Sequence, residues 1–130
     1  MKVEHEVKTQ TKVKVYFNLH KKTFSVVAME GFHKGRVICR CDDLSLQDVT
    51  FKVSEAGRQR VLREKRKNVH AFVVGTLCNS IEIQGKIFSE ISYNPYFLGS
   101  FFDKMTKEVV HYMPAVRMQV QDKKGRIYAR

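Results

Sequence analysis

The chain is short of negative charge. Thirteen Asp and Glu residues face 24 Lys and Arg, leaving a formal net charge of +11. Such an excess favours partners rich in phosphate, polymeric or small, and does not choose between them. Scarce carboxylates also leave few candidates for acid–base work. Asp42, Asp43 and Asp103 stand in turn contexts, where side-chain oxygens ordinarily stabilise the backbone. The sequence has no G-x-x-x-x-G-K-S/T loop, no G-x-G-x-x-G, no G-x-S-x-G and no H-E-x-x-H. Serines are few, and none sits in a nucleophile context. His20, His33, His70 and His111 have no evident catalytic partner in sequence. No catalytic residue and no cofactor are expected, and the protein is not read as an enzyme.

Cysteine is scarce too. Three residues, Cys39, Cys41 and Cys78, make an odd count without framework spacing, which argues against a disulfide scaffold. Cys39 and Cys41 are two apart in an extended segment and would share a sheet face. Cys78 with a stray histidine is a poor second pair for zinc, so small buried side chains are expected rather than a metal site. No apolar run approaches the ~20 residues that span a bilayer, and Met1–Glu6 is no signal peptide. A cytoplasmic protein with no membrane partner follows. With 130 residues, 43% hydrophobic and 28% charged, one domain over 1–130 is expected, residues 1–11 being a flexible arm or edge strand.

Against these absences stands one dense positive segment. Residues 54–72 read as the principal helix, with Ser54 as N-cap and Glu55 at the positive end of the dipole. At about 100° per residue, Val61, Leu62, Val69, Phe72 and Val73 share one arc, and Arg60, Arg63, Lys67 and His70 share another. One arc suits a sheet. The other suits an anion or plain solvent.

Ahead of the helix, alternation predicts strands at Lys12–Leu19, Thr23–Met29, Arg36–Cys41 and Leu44–Val53, the last bulged where its apolar spacing slips. Turns fall at His20-Lys21-Lys22 and at Gly31-Phe32-His33-Lys34-Gly35, with Asp42-Asp43 marking a break. That is an antiparallel meander feeding the helix. Val73–Leu77 extends the helix or begins a strand; Cys78–Gly85 is a loop or short ribbon; Lys86–Ser92 is extended. Tyr93-Asn94-Pro95-Tyr96-Phe97 forms an aromatic turn. Leu98–Phe102 with Glu108–Met113 makes one hairpin, ended by Pro114, and Ala115–Val120 with Arg126–Arg130 makes a second. The class is α+β: a mostly antiparallel sheet, a meander plus C-terminal hairpins, with one helix packed across it.

Arginine forks match phosphate oxygens, aromatic faces stack on nucleobases, and an asparagine reads a base or sugar edge. Arg58, Arg60 and Arg63 on the helix, Phe88, Phe97 and Tyr96, Asn94, and Arg117 or Arg126 in the last hairpin supply these types. Each also has an ordinary role: Phe88 and Phe97 as core, Asn94 as a turn former, Arg117 and Arg126 as surface.

The runs KVYFNLHKK with FSV (Lys14–Lys22, Phe24–Val26), DVTFKVSEAGRQR (Asp48–Arg60), KNVHA (Lys67–Ala71) and YNPY (Tyr93–Tyr96) resemble small proteins of tailed bacteriophages. The chain is similar, over about residues 13–130, to the first-described anti-Thoeris family, which sequester cyclic ADP-ribose signals. That resemblance implies binding, without cleavage, of the cyclic ADP-ribose isomer made by an infected bacterium's immune TIR protein in the host cytoplasm. It implies homo-oligomers, dimers or hexamers, with ligand sites between subunits, and for some members a second site for cyclic oligonucleotides. Carried over by position, Arg58 and Arg60 become diphosphate ligands, Asn94 with Phe88 or Phe97 holds the adenosine, and Arg117 is a second arginine. The competing reading is a basic nucleic-acid-binding module that sets the same helix on a phosphate backbone.

Overall fold

The computed structural model describes residues 10–82 and 87–130. The expected arm or edge strand at residues 1–11 lies almost wholly outside them, as do residues 83–86, where the expected loop or ribbon Cys78–Gly85 meets the expected extended segment Lys86–Ser92. Nine strands and one helix follow in order: β1 (Lys12–Asn18), β2 (Thr23–Ala28), β3 (Val37–Cys41), β4 (Asp43–Val53), α1 (Glu55–Glu64), β5 (Ala71–Cys78), β6 (Ser89–Ser92), β7 (Phe102–Asp103), β8 (Tyr112–Gln121) and β9 (Lys124–Ala129). They form one antiparallel sheet in the order β3-β2-β1-β5-β4-β8-β9-β6-β7, the expected α+β class.

The first three strands are the meander the alternation predicts. Asn18 closes the first turn, its side-chain oxygen accepting the amides of His20 and Lys21, both at 2.9 Å. Gly31 and Gly35 supply left-handed backbone (φ 81° and 85°) for the second. The meander then breaks, contrary to expectation. β4 lies between β5 and β8, and β5 fills the place between β1 and β4. The predicted bulge is present: the β4–β5 register slips between Gln47 and Thr50, and Asp48 is left-handed (φ 51°). Facing it, Gly75 leaves room that a Cβ would lack, 2.9 Å from Val49 Cγ2 and 3.1 Å from the Gln47 carbonyl.

The helix is shorter than the sequence pattern suggests. Ser54 caps it as expected, its hydroxyl accepting the Gly57 amide at 3.2 Å. It stops at Glu64, where Lys65 turns left-handed (φ 58°) and donates its amide to the Val61 carbonyl at 2.9 Å. Val69, Phe72 and Val73 fit a helical arc, but Phe72 and Val73 also fit a strand, and pairing with β1 and β4 decides. Val61 is the buried residue of the helix, while Val73 belongs to the sheet core. The two expected arcs therefore do not exist, and neither does the row Arg60–Arg63–Lys67–His70.

Three smaller expectations also change. Asp43 is the first residue of β4, not part of a break, and pairs with Arg117. Pro114 sits inside β8, opposite the bulged Asp48, where the ladder passes from Gln47↔Ala115 to Val49↔Met113. The 98–113 hairpin contracts to β7 and a single bridge, Phe102↔Val109. There Asp103 does what a turn aspartate should, accepting the amides of Met105 and Thr106 at 2.9 and 3.2 Å. The last hairpin is present and tight: Asp122 and Lys123 are both left-handed (φ 54° and 63°) and join β8 to β9 in a two-residue turn.

The sheet curls until the start of β9 returns to β1 and β2. At Gly125 a Cβ would stand 2.7 Å from Phe17 and 2.9 Å from Phe24, so the contact is one that glycine alone permits. Val13, Val15, Phe24, Val26, Leu46, Val49, Val73, Val116 and Met118 fill the curl, all at most 2% exposed. Cys39 and Cys41 share its inner face, buried, with sulfurs 3.5 Å apart. Among the described residues no helix is long and apolar enough to cross a membrane.

Candidate functional site

Curling a sheet without closing it leaves a seam. The β1–β5 ladder ends at Val15↔Val73, and beyond it Tyr16–Leu19 and Asn68–Phe72 border a cleft of about 700 Å³. Its floor is apolar: Phe17, Phe24, Val73, Ile91, Phe101, Met118 and Ile127. Phe17 meets Phe24 edge-on with ring centroids 5.3 Å apart, and Tyr93 lies against Phe101 at the same distance. The rim is cationic. Among the described residues that line the cleft, Lys65, Lys67, Lys104, Lys124 and Arg126 face one carboxylate, Glu90. Arg126 and Lys104 both reach Glu90, at 3.0 and 3.5 Å, so that single negative charge is already matched.

One wall is the 65–70 loop and the other is the aromatic turn, and His70 joins them. Its Nδ1 lies 2.7 Å from the Asn68 carbonyl and its Nε2 2.6 Å from the Tyr93 hydroxyl. A carbonyl can only accept, so Nδ1 carries the proton. In the neutral ring Nε2 then accepts from Tyr93. Burial pushes the Tyr93 phenol above its ordinary value, against the lowering effect of Arg58, which keeps it a donor. The backbone secures the same place, with the Ser54 amide donating to the His70 carbonyl at 2.7 Å. Gly57 lets the helix approach: a Cβ there would stand 2.6 Å from the His70 Cβ. With both ring nitrogens engaged, His70 ties the two walls together. The aromatic turn is held in its own way. The Asn94 side-chain oxygen accepts the Tyr96 amide at 2.9 Å, and Arg58 Nε donates to the Pro95 carbonyl at 3.0 Å.

Of the seven expected ligand residues, Asn94 lines the cleft. Arg58 stands behind the wall, 20% exposed, engaged by Pro95 and by Glu55 at 3.4 Å. Arg60 and Arg63 are exposed and do not line the cleft, and Arg60 reaches Glu64 at 3.5 Å. Phe88 packs beneath the Arg130 guanidinium, 5.4 Å from its ring. Phe97 is half exposed, edge-on to Phe102 at 5.0 Å.

Arg117 alternates with the core residues Val116 and Met118 and so faces the other side of the sheet. There it grips Asp43 with two bonds, at 3.0 and 2.7 Å, and donates to the Ile81 carbonyl at 2.9 Å. Those bonds hold the Asp43 carboxyl below the ordinary carboxylate range, Gln119 adding to the effect against the cost of burial. The helix arginines and Arg117 are thus not brought together.

Sequence reading missed Lys65, Lys104 and Lys124 as rim residues, Tyr93 as a wall residue and the Phe17–Phe24 floor; Lys67, placed on the arc suited to an anion, and Arg126, weighed as a phosphate ligand, are on the rim. A signal existed in Lys124-Gly125-Arg126, where a glycine between two cations marks a close approach of backbone to something else.

Comparison with known proteins reaches the same length of chain. The family model described as Mycobacterium phage L5 gene 82 protein matches residues 6–127. The "Gene 82 protein" of Mycobacterium phage L5 is 42% identical over 102 residues, covering 74% of this chain and 80% of that relative. No solved structure matches.

Proposed function

The chain belongs to the Mycobacterium phage L5 gene 82 protein family, and we propose that it binds a compact phosphorylated nucleotide in the seam cleft and holds it unchanged. One observation carries this: an apolar, ring-lined floor beneath a rim that, among the described residues, holds five cations and a single carboxylate, itself already paired. Aromatic and aliphatic side chains accept the faces of a base and sugar, and the rim meets the phosphates. A volume of about 700 Å³ suits a guest of that size, since ligand clefts run about 300–1,000 Å³.

The finer reading names the guest: a cyclic ADP-ribose isomer, with cyclic oligonucleotides as a second class, captured in the host cytoplasm so that a defence effector is not switched on. The resemblance in the Lys14–Lys22, Asp48–Arg60 and Tyr93–Tyr96 runs supports it, and so does a cleft of the right chemistry. Capture against a sensor needs a dissociation constant near nanomolar, roughly −12 kcal/mol, which calls for near-complete enclosure. A second copy of the chain over the open side, in a dimer or hexamer, would supply it.

The test is uptake and release. Purified protein is mixed with cyclic ADP-ribose isomers and cyclic oligonucleotides, free nucleotide is measured after filtration, and the bound fraction is freed by heat and identified by mass. Intact nucleotide in stoichiometric amount is the expected result. Altered nucleotide would make the protein an enzyme, and no uptake of any member would remove the reading.

A further inference from the structure

The strongest run of charge lies on the cleft's outer shoulder, where the helix ends. Arg60, Arg63, Lys65, Arg66 and Lys67 fall within eight residues, with Glu64 the one carboxylate among them, a net charge of +4. Arg60 and Arg66, 62% and 80% exposed, both reach Glu64, at 3.5 and 2.9 Å, so one negative charge is shared by two arginines. Arg63, Lys65 and Lys67 are exposed as well. The left-handed cap at Lys65 turns the chain out of the helix, which spreads these cations along a ridge instead of winding them round a cylinder.

The ridge leads somewhere. Lys67 stands at the cleft mouth with Tyr16 and Phe72. Lys14 Nζ lies 4.3 Å from the Phe72 ring centroid, and Lys52 is the cross-strand neighbour of Phe72 on the same face. Cations therefore continue past the loop onto the outer sheet face, with an aromatic ring set between two of them.

We propose that this ridge is a binding track for single-stranded nucleic acid, which meets the cleft mouth at Lys67, Tyr16 and Phe72 but whose arginines Arg60, Arg63 and Arg66 stand off the cleft, so that it does not depend on the nucleotide reading. Arg60, Arg63, Arg66 and Lys67 take successive phosphates, and Phe72 with Tyr16 offers ring faces to an unstacked base. A duplex keeps its bases stacked and cannot use the rings, which is why the single strand is favoured.

The probe is a fluorescently labelled 20-nucleotide oligo-dT, followed by anisotropy from 50 to 200 mM salt. Four neutralised phosphates give a log–log slope of about −2.8, a weakening of about 50-fold across that range. Arg63→Gln with Arg66→Gln, neither on the cleft, should weaken binding at 50 mM by about tenfold and flatten the slope by about 1.4. The same double variant should take up small nucleotides as the parent does, so the two readings can fail separately. A slope shallower than about −1, an unchanged affinity in the double variant, or tighter binding of a duplex of equal length would each overturn the proposal. So would displacement by poly-glutamate at equal charge, which would make the ridge a general site for acidic partners.

Discussion

The seam cleft and the helix-end ridge gather similar numbers of lysines and arginines, and they differ in how the chain brings them together. Ridge cations are neighbours in sequence and stand in water, Arg60 and Arg66 sharing Glu64, while Lys65 and Lys67 belong to both sets. Rim cations come from the 65–67 loop, the turn after β7 and the start of β9, and they surround an apolar floor. Charge in open water is screened over roughly 10 Å at ordinary salt, whereas charge beside a low-dielectric cavity keeps more of its reach. A compact guest is therefore better served by the assembled set. The local set suits a polymer that meets several charges in turn.

This contrast is sharpest in stability, because one region is built into the core and the other is not. The largest effect is expected at Phe101, 5% exposed and packed against Phe51 and Tyr93 at 5.1 and 5.3 Å. Phe101→Ala should cost about 4 kcal/mol in urea unfolding and abolish small-nucleotide uptake. A loss under 1 kcal/mol would show that the floor is not continuous with the core.

Next comes Gly57→Ala. Helix propensity alone favours alanine by about 1 kcal/mol. The new Cβ, 2.6 Å from the His70 Cβ, should instead cost about 1–3 kcal/mol and loosen the wall. Thermal unfolding decides the sign, and a raised midpoint would contradict the His70 latch.

A pH effect should be smaller. The Arg117 guanidinium depresses the Asp43 carboxyl, so Asp43 contributes stability that is complete above its ordinary pKa and is lost as pH falls through that value toward the lower folded one. Acid titration of the parent should show a loss below about pH 4 that is reduced in Asp43→Asn. Identical acid profiles would mean the pair is idle. Least of all should come from the ridge itself: Arg63→Gln is expected to leave stability within about 0.5 kcal/mol of the parent.

Much of the fold was legible because it is local. Alternation marked β1 to β3, the slip near Asp48 marked the bulge, Ser54 marked the helix start, and Tyr93–Phe97 marked a turn. Where the pattern was ambiguous, long-range pairing decided. Phe72 and Val73 suit a helical arc and a central strand equally, and the strand won because β1 and β4 needed a partner between them. That choice also removed the two-faced helix on which the expected site rested. The cleft was the least legible part, since Phe17, Ile91 and Gly125 meet only after the sheet has curled. Asn94 lies on the cleft because turn and wall are the same few residues.

Amide spectra of labelled protein titrated with a cyclic ADP-ribose isomer test the central claim most directly. The account predicts shifts concentrated at Phe17, Asn68, Tyr93, Asn94 and Gly125, with the 58–64 amides little changed. Shifts gathered on the helix, or none at a nucleotide concentration of about 1 mM, where even a millimolar binder is half occupied, would contradict it.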